Sequence, residues 1–196
     1  GLKSYQEYFQ FISSSAGREQ GELHLCMDFL TTHETYFFRE MQQLDYFRQS
    51  VLPQLRRSGS IKIWSAACSS GEEPYTLAML CADAFSIGVD WFIQGTDVSR
   101  QQVELAQRAI FPEWRASKVS MDFRNRYLMR GRGSYEEQVS IVPELREKVG
   151  FETFNLISSS YPQNYYDVVF CRNVLIYFEP EVQRQVVRNI YKSLKY

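Results

Sequence analysis

The stretch IKIWSAACSSGEEPYTLAML (residues 61–80) reads as an apolar strand over 61–67 that breaks at Ser69, Ser70 and Gly71 and runs into an amphipathic helix. Leu77, Leu80, Cys81, Ala84 and Phe85 fall on one face of that helix, the 3.6-residue period of a buried stripe. A strand-to-helix turn presents backbone N–H groups to a ligand, and a glycine allows close approach. Pro74 suits the first helical turn, where a missing N–H costs nothing. The residues entering the helix, however, are Glu72 and Glu73. Carboxylates there repel a phosphate, so the expected ligand carries hydroxyls or cations. S-adenosylmethionine, with a ribose, an amine and a sulfonium, has that chemistry.

Outward from this βα unit, residues 91–95 form a second strand ending at Asp97, and Ser99 with Gln102 caps the helix that follows. Upstream, the chain to about Ser58 reads as helical. Phe37, Phe38, Met41, Leu44 and Phe47 form a helical stripe behind a capping box of Thr31 and Glu34, and Pro53 restarts a short helix. Downstream, RNRYLMRGRGSYEEQVSIVP (residues 124–143), split by Gly131 and Gly133, reads as a small antiparallel hairpin insert. Residues 151–154 form a third core strand. YYDVVFC (165–171) forms a fourth, apolar enough for burial on both faces. After Pro180, Val182, Val186, Val187, Ile190 and Leu194 stripe a last helix. The order is helices, βαβα, a β insert, then βαβα. That is a doubly wound α/β sheet, in which ligands bind beyond the carboxyl ends of the strands. The last stripe wants a following strand, so a truncated chain is expected, with residues 1–59 a helical remnant and 60–196 the ligand-binding domain.

The chain has 196 residues, 44% of them apolar and 15% aromatic, and a net charge of -1. One substantial core is expected, with no general attraction to nucleic acid or anionic lipid. No apolar run is long enough to span a bilayer, and GLKSYQEYF has no signal-peptide pattern. A cytoplasmic location follows as the expectation. Cys26, Cys68, Cys81 and Cys171 form no CxxC pair, and His24 and His33 are the only histidines. Reduced structural cysteines and no zinc site are expected.

Several side chains admit two readings. Asp97, at the end of strand two, accepts hydrogen bonds from a ribose or serves as a helix-entry cap. Glu73 pairs with a ligand amine or is an acid favoured by the helix dipole. Arg39, in a helix able to close over the pocket, and Arg172, at the mouth of strand four, each suit a carboxylate from ligand or substrate, or lie solvated. Tyr177 orients a substrate carboxylate or packs as aromatic surface. Arg124, Arg126, Arg130 and Arg132 with Tyr127 form a nucleic-acid patch, a dock for an acidic peptide, or a solvated face.

Three segments together resemble one family: LTTHETYFFRE (residues 30–40), IWSAACSSGEEPYTLA (63–78) and FCRNVLIYF (170–178). They look like the chemotaxis receptor glutamate methyltransferases of the CheR type. The resemblance implies an S-adenosylmethionine-dependent, Rossmann-like methyltransferase fold with N-terminal helices, a receptor-contacting β-subdomain and a C-terminal strand pair that is missing here. It implies O-methylation of glutamates on acidic receptor helices, with no metal, no nucleic acid and no membrane insertion. Carried over by position, the cofactor contacts are His33, Thr35, Arg39, Glu73, Asp97, Asn155, Leu156, Arg172 and Asn173, with Arg39, Arg172 and Tyr177 at the chemistry. His33 stands where the family more often has asparagine. The MRGRG turn resembles members whose insert holds a receptor C-terminal tail, here through Arg130 and Arg132. The competing readings are a cofactor-binding regulatory domain that has lost turnover and a nicotinamide-dependent enzyme. The absence of GxGxxG speaks against the second.

Overall fold

A computed structural model describes residues 4–30, 33–56, 59–85 and 89–196. Three helices, α1 (Tyr5–Ser13), α2 (Ser15–Glu19) and α3 (Glu22–Leu30), precede an irregular segment and α4 (Met41–Tyr46). A π-helical turn, Phe47–Val51, joins α4 to α5 (Leu52–Leu55), which carries Pro53 in its first turn. Then come β1 (Ser60–Ala66), α6 (Glu72–Ala84), β2 (Asp90–Asp97) and α7 (Arg100–Arg108). A small unit follows: β3 (Ile110–Pro112), a 3-10 turn at Glu113–Ala116, α8 (Met121–Tyr127), β4 (Leu128–Arg130) and β5 (Gln138–Ile141). The chain closes with α9 (Pro143–Arg146), β6 (Val149–Thr153), β7 (Val168–Cys171) and α10 (Pro180–Ser193).

The main sheet is parallel, in the order β6-β2-β1-β7. β1 lies at its centre, Ile61 opposite Trp91 on one side and Ile63 opposite Val168 on the other. Its side chains alternate between faces, as a pleated strand requires. Ile61 and Ile63 enter a core with Phe37, Leu44, Phe47, Leu77 and Met79, while Trp64 and Ala66 join Tyr161, Tyr166 and Val186 on the opposite face. Trp64 stacks on Tyr166 at 5.2 Å and donates its indole N–H to Thr96 Oγ1 at 3.0 Å. β2 and β6 extend the sheet to one side of β1 and β7 lies on the other, so the strand order reverses beside β1. The crevice of a doubly wound sheet opens at that point.

The doubly wound α/β architecture and the separate antiparallel unit are as expected, with four local corrections. Phe37 and Phe38 belong to a turn before α4, not to its helical stripe, and Phe38 and Glu40 are left-handed, with φ of 57° and 56°. The stripe mimics helical spacing because Phe37, Phe38, Leu44 and Phe47 are all buried, whereas Met41 is exposed. Arg39 therefore sits on that turn rather than in a helix, and Thr31 of the expected capping box lies outside the described residues. The insert is larger than a hairpin, being a three-stranded sheet in the order β3-β5-β4, with residues 121–127 helical. Finally, β6 reaches β7 without a crossover helix, through turns held by Tyr161, whose hydroxyl donates to the Leu156 carbonyl at 2.7 Å.

The turn after β1 is compact and strained. Ala67, Ser69 and Gly71 have φ of 63°, 50° and 99°. The Cys68 N–H donates to the Thr96 carbonyl at 2.8 Å and the Gly71 N–H to the Cys68 carbonyl at 3.1 Å. A Cβ on Gly71 would lie 2.8 Å from Ala106 Cβ on α7. Among the described residues no helix is long and apolar enough to cross a membrane. Gly71→Ala combines left-handed strain with a steric clash and is expected to lower stability by about 1–3 kcal/mol, measured by urea unfolding.

Candidate cofactor and active site

The carboxyl ends of all four parallel strands open onto one cavity of about 460 Å³, within the roughly 300–1,000 Å³ of small-molecule sites. Ala67, Cys68 and Ser69 follow β1, Asp97 and Val98 end β2, residues 154–157 follow β6, and residues 172–174 follow β7. Segment 33–36 with Arg39 supplies another wall, and Leu44, Glu73, Thr76, Ile176, Tyr177 and Phe178 complete the lining. His33, Thr35, Arg39, Glu73, Asp97, Asn155, Leu156, Arg172, Asn173 and Tyr177, drawn from segments far apart in sequence, all line this one cavity.

Each is held by a definable interaction. The Asp97 carboxylate is mostly buried and accepts the Ser69 N–H at 2.7 Å and the Ser99 N–H at 3.0 Å. Ser99, not Asp97, caps α7, its hydroxyl accepting from the Gln102 N–H. The Asp97 carboxylate ties the turn after β1 to the end of β2 and retains lone pairs for a further donor. Glu73 accepts the Ser65 hydroxyl at 2.7 Å on one oxygen and Arg172 Nη1 at 2.9 Å on the other. Arg172 also donates to the Arg39 carbonyl at 2.6 Å, and its Nε is buried without an acceptor among the described residues. The Arg172 guanidinium as a whole lines the cavity, where it suits an anionic ligand group such as a carboxylate. Arg39 donates to the Glu34 carbonyl and lies 5.9 Å from the Tyr36 ring centre. His33 Nε2 is 3.1 Å from the Asp28 carbonyl oxygen. Asn155 Oδ1 accepts the Ile157 N–H at 2.8 Å, shaping the loop that presents Leu156. Tyr177 is largely exposed at the rim.

Glu72 corrects the reading of the paired acids. It has no exposed surface and turns away from the cavity to bond Arg115 and the Ser70 hydroxyl, so only Glu73 faces the ligand space. Arg115 carried no motif signal, and Glu40, though it ends the first family segment, was assigned no role, because their partners lie 43 and 132 positions away. The arginine run also divides. Arg124 pairs with Glu113, and Arg126 pairs with Asp83 and Asp122, whereas Arg130 and Arg132 are exposed. The four cysteines are free, and among the described residues no side-chain cluster has the make-up of a metal site. Burial pushes the Cys68 and Cys81 thiols up.

A sheet that reverses strand order beside a cavity lined by a strand-end aspartate, a helix-entry glutamate and an arginine defines a Rossmann-like cofactor-binding domain. Residues 33–196 match the family described as CheR methyltransferase, SAM binding domain. The chain is 33% identical to the chemotaxis protein methyltransferase of Escherichia coli K12, covering 100% of this chain and 67% of that one. It is 32% identical to the chemotaxis protein methyltransferase of Borreliella burgdorferi, covering 100% of this chain and 71% of that one. To chemotaxis protein methyltransferase 1 of Pseudomonas aeruginosa the figures are 35%, 100% and 72%. The chain belongs to the CheR methyltransferase family.

The carboxylates at the site differ in sign of shift. Burial raises Asp97 despite its backbone donors, and burial raises Glu73 against the pull of the Arg172 guanidinium. Hydrogen bonds from Asn173 and Arg172 lower Glu40. Raised groups contribute stability that is present below their unfolded values and lost as pH rises through the folded ones. A lowered group contributes stability that is lost on acidification. Carboxyl NMR titration is expected to place Asp97 and Glu73 above their ordinary values of 3.8 and 4.5, and Glu40 below 4.5.

Proposed function

We propose that this chain is an S-adenosylmethionine-dependent protein-glutamate O-methyltransferase that acts in the cytoplasm on glutamate side chains of chemoreceptor helices. The observation that carries the reading is the convergence of Glu73, Asp97, Arg172 and segment 33–39 on one cavity within a CheR-family fold.

S-adenosylmethionine supplies an electrophilic methyl group on a sulfonium. Asp97 would accept from ribose hydroxyls and Glu73 would face the cationic end. Arg172 would take the carboxylate, and Asn155, Leu156 and Asn173 would wall the nucleoside. An acceptor glutamate is ionised at neutral pH, so no residue is needed as a base. Opposite charges cancel as the bond forms, which favours a dry, well-aligned site, and positioning then supplies most of the acceleration. Arg39 and Tyr177, which line the same cavity, would align the incoming carboxylate.

The exposed Arg130, at the end of β4, and Arg132, in the loop that follows, suit an acidic receptor tail. A titration with acidic tail peptides is expected to show loss of binding in an Arg130→Glu, Arg132→Glu variant. Equal binding overturns that role.

The activity itself is read as base-labile methanol released from receptor fragments after incubation with labelled S-adenosylmethionine. No transfer despite cofactor binding would favour a regulatory domain instead. Asp97→Ala is expected to weaken S-adenosylhomocysteine binding about tenfold or more, the equivalent of about 1.4 kcal/mol, by calorimetry. Tyr177→Phe is expected to slow transfer while leaving that affinity unchanged.

A further inference from the structure

Glu40 lies outside the cavity lining, yet it holds two residues that belong to it. One carboxylate oxygen accepts Asn173 Nδ2 at 2.8 Å and the other accepts Arg172 Nη2 at 3.2 Å. A single side chain thus bridges consecutive residues at the end of β7 from a segment more than 130 positions earlier in the chain. We propose that Glu40 is a positioning residue, a latch that fixes Arg172 and Asn173 against the wall formed by segment 33–40.

The donor inventory of Arg172 carries the argument. Its guanidinium has five N–H groups in a rigid fork. Nη1 is engaged by Glu73, Nη2 by Glu40 and the Arg39 carbonyl, and Nε is buried without an acceptor among the described residues. Both ends of the fork are pinned, one by a carboxylate inside the cavity and one by a carboxylate outside it. Without Glu40 only the Arg39 carbonyl restrains Nη2, and the fork is freer to turn toward bidentate pairing with Glu73, the preferred geometry for guanidinium and carboxylate. That pairing would occupy both charged groups with each other and withdraw them from a zwitterionic ligand.

The backbone supports the same conclusion. Glu40 and Asn173 are both left-handed, at φ of 56° and 57°. Such conformations cost of order 1–3 kcal/mol each and persist where surrounding structure over-determines them. Here two such residues are joined directly through their side chains. The Glu40 side chain is 38% exposed, against 9% for Arg172. Its replacement therefore leaves no buried charge unpaired, and Arg172 keeps Glu73.

The consequence for catalysis rests on the methyl-transfer reading above, so the test has two arms. In the ligand-free protein, the Arg172 guanidinium ¹⁵N–¹H resonances are expected to show hindered rotation in the wild type and averaging in Glu40→Ala. Identical behaviour in the two overturns the latch whatever the enzyme binds. In the second arm, Glu40→Ala is expected to raise the Kd for S-adenosylhomocysteine and the KM for S-adenosylmethionine about tenfold, with the receptor-fragment KM unchanged and only a small fall in Tm. Glu40→Gln, which keeps the length and one acceptor oxygen, is expected to recover most of the loss. Unchanged affinity in Glu40→Ala, or losses in both variants that follow a large fall in Tm, overturns the proposal. A wild type that binds neither cofactor form refutes the methyl-transfer reading instead, and the first arm still decides the latch.

Discussion

Glu72 is a carboxylate without solvent, and much of the molecule is arranged to satisfy it. One oxygen meets Arg115, the other accepts the Ser70 hydroxyl at 2.8 Å, and its carbonyl accepts the Thr76 hydroxyl at 2.7 Å. Breaking such a buried pair by removing one partner typically costs about 3–5 kcal/mol. Arg115 comes from the 3-10 turn of the small sheet unit, and its own carbonyl accepts the Phe37 N–H at 3.2 Å. The Phe38 N–H in turn reaches Thr76 Oγ1 at 3.1 Å. The demand of one buried charge therefore pins together the turn after β1, the insert, and the segment that walls the cavity.

This bracing explains how a strained turn survives at the site. Ala67 and Ser69 are non-glycine residues in left-handed conformation, held by the Asp97 carboxylate and the Thr96 carbonyl on the neighbouring strand. Parallel pairing of β1 with β2 sets those two groups beside the turn. The insert is thus more than an appendage on the sheet. It supplies the counter-charge for the helix that bears Glu73, and the ring of Phe111 on β3 packs edge-on against Phe37 at 4.9 Å. A reaction that depends on alignment and water exclusion benefits from walls fixed in this way.

Much of the fold could be read locally. The apolar run of β1, the Ser-Ser-Gly break and the acidic helix start are features of neighbouring residues, and each maps onto the structure within a residue or two. The stripe at Phe37, Phe38, Leu44 and Phe47 misled because burial does not require a helix, only a segment that passes the core. Glu72 and Glu73 are indistinguishable in sequence, being adjacent acids in the first turn of one helix. The helix turns by about 100° per residue, so one meets Arg115 across the insert and the other meets Arg172 across the sheet.

By itself the sequence determined the strand-turn-helix unit and the doubly wound order, because these depend on spacing and chemistry within short windows, whereas His33, Thr35, Asn155, Leu156 and Asn173 were reached only through the family resemblance. The tertiary structure alone decided which charge meets which: Glu72 with Arg115, Glu73 with Arg172, Glu40 with Arg172 and Asn173. Those partners are separated by tens to more than a hundred positions. No local pattern encodes their pairing: the contacts of Arg172 and Asn173 follow from the strand order that sets the end of β7 beside the end of β1, and that of Glu72 from the 3-10 turn of the insert lying beside the start of α6.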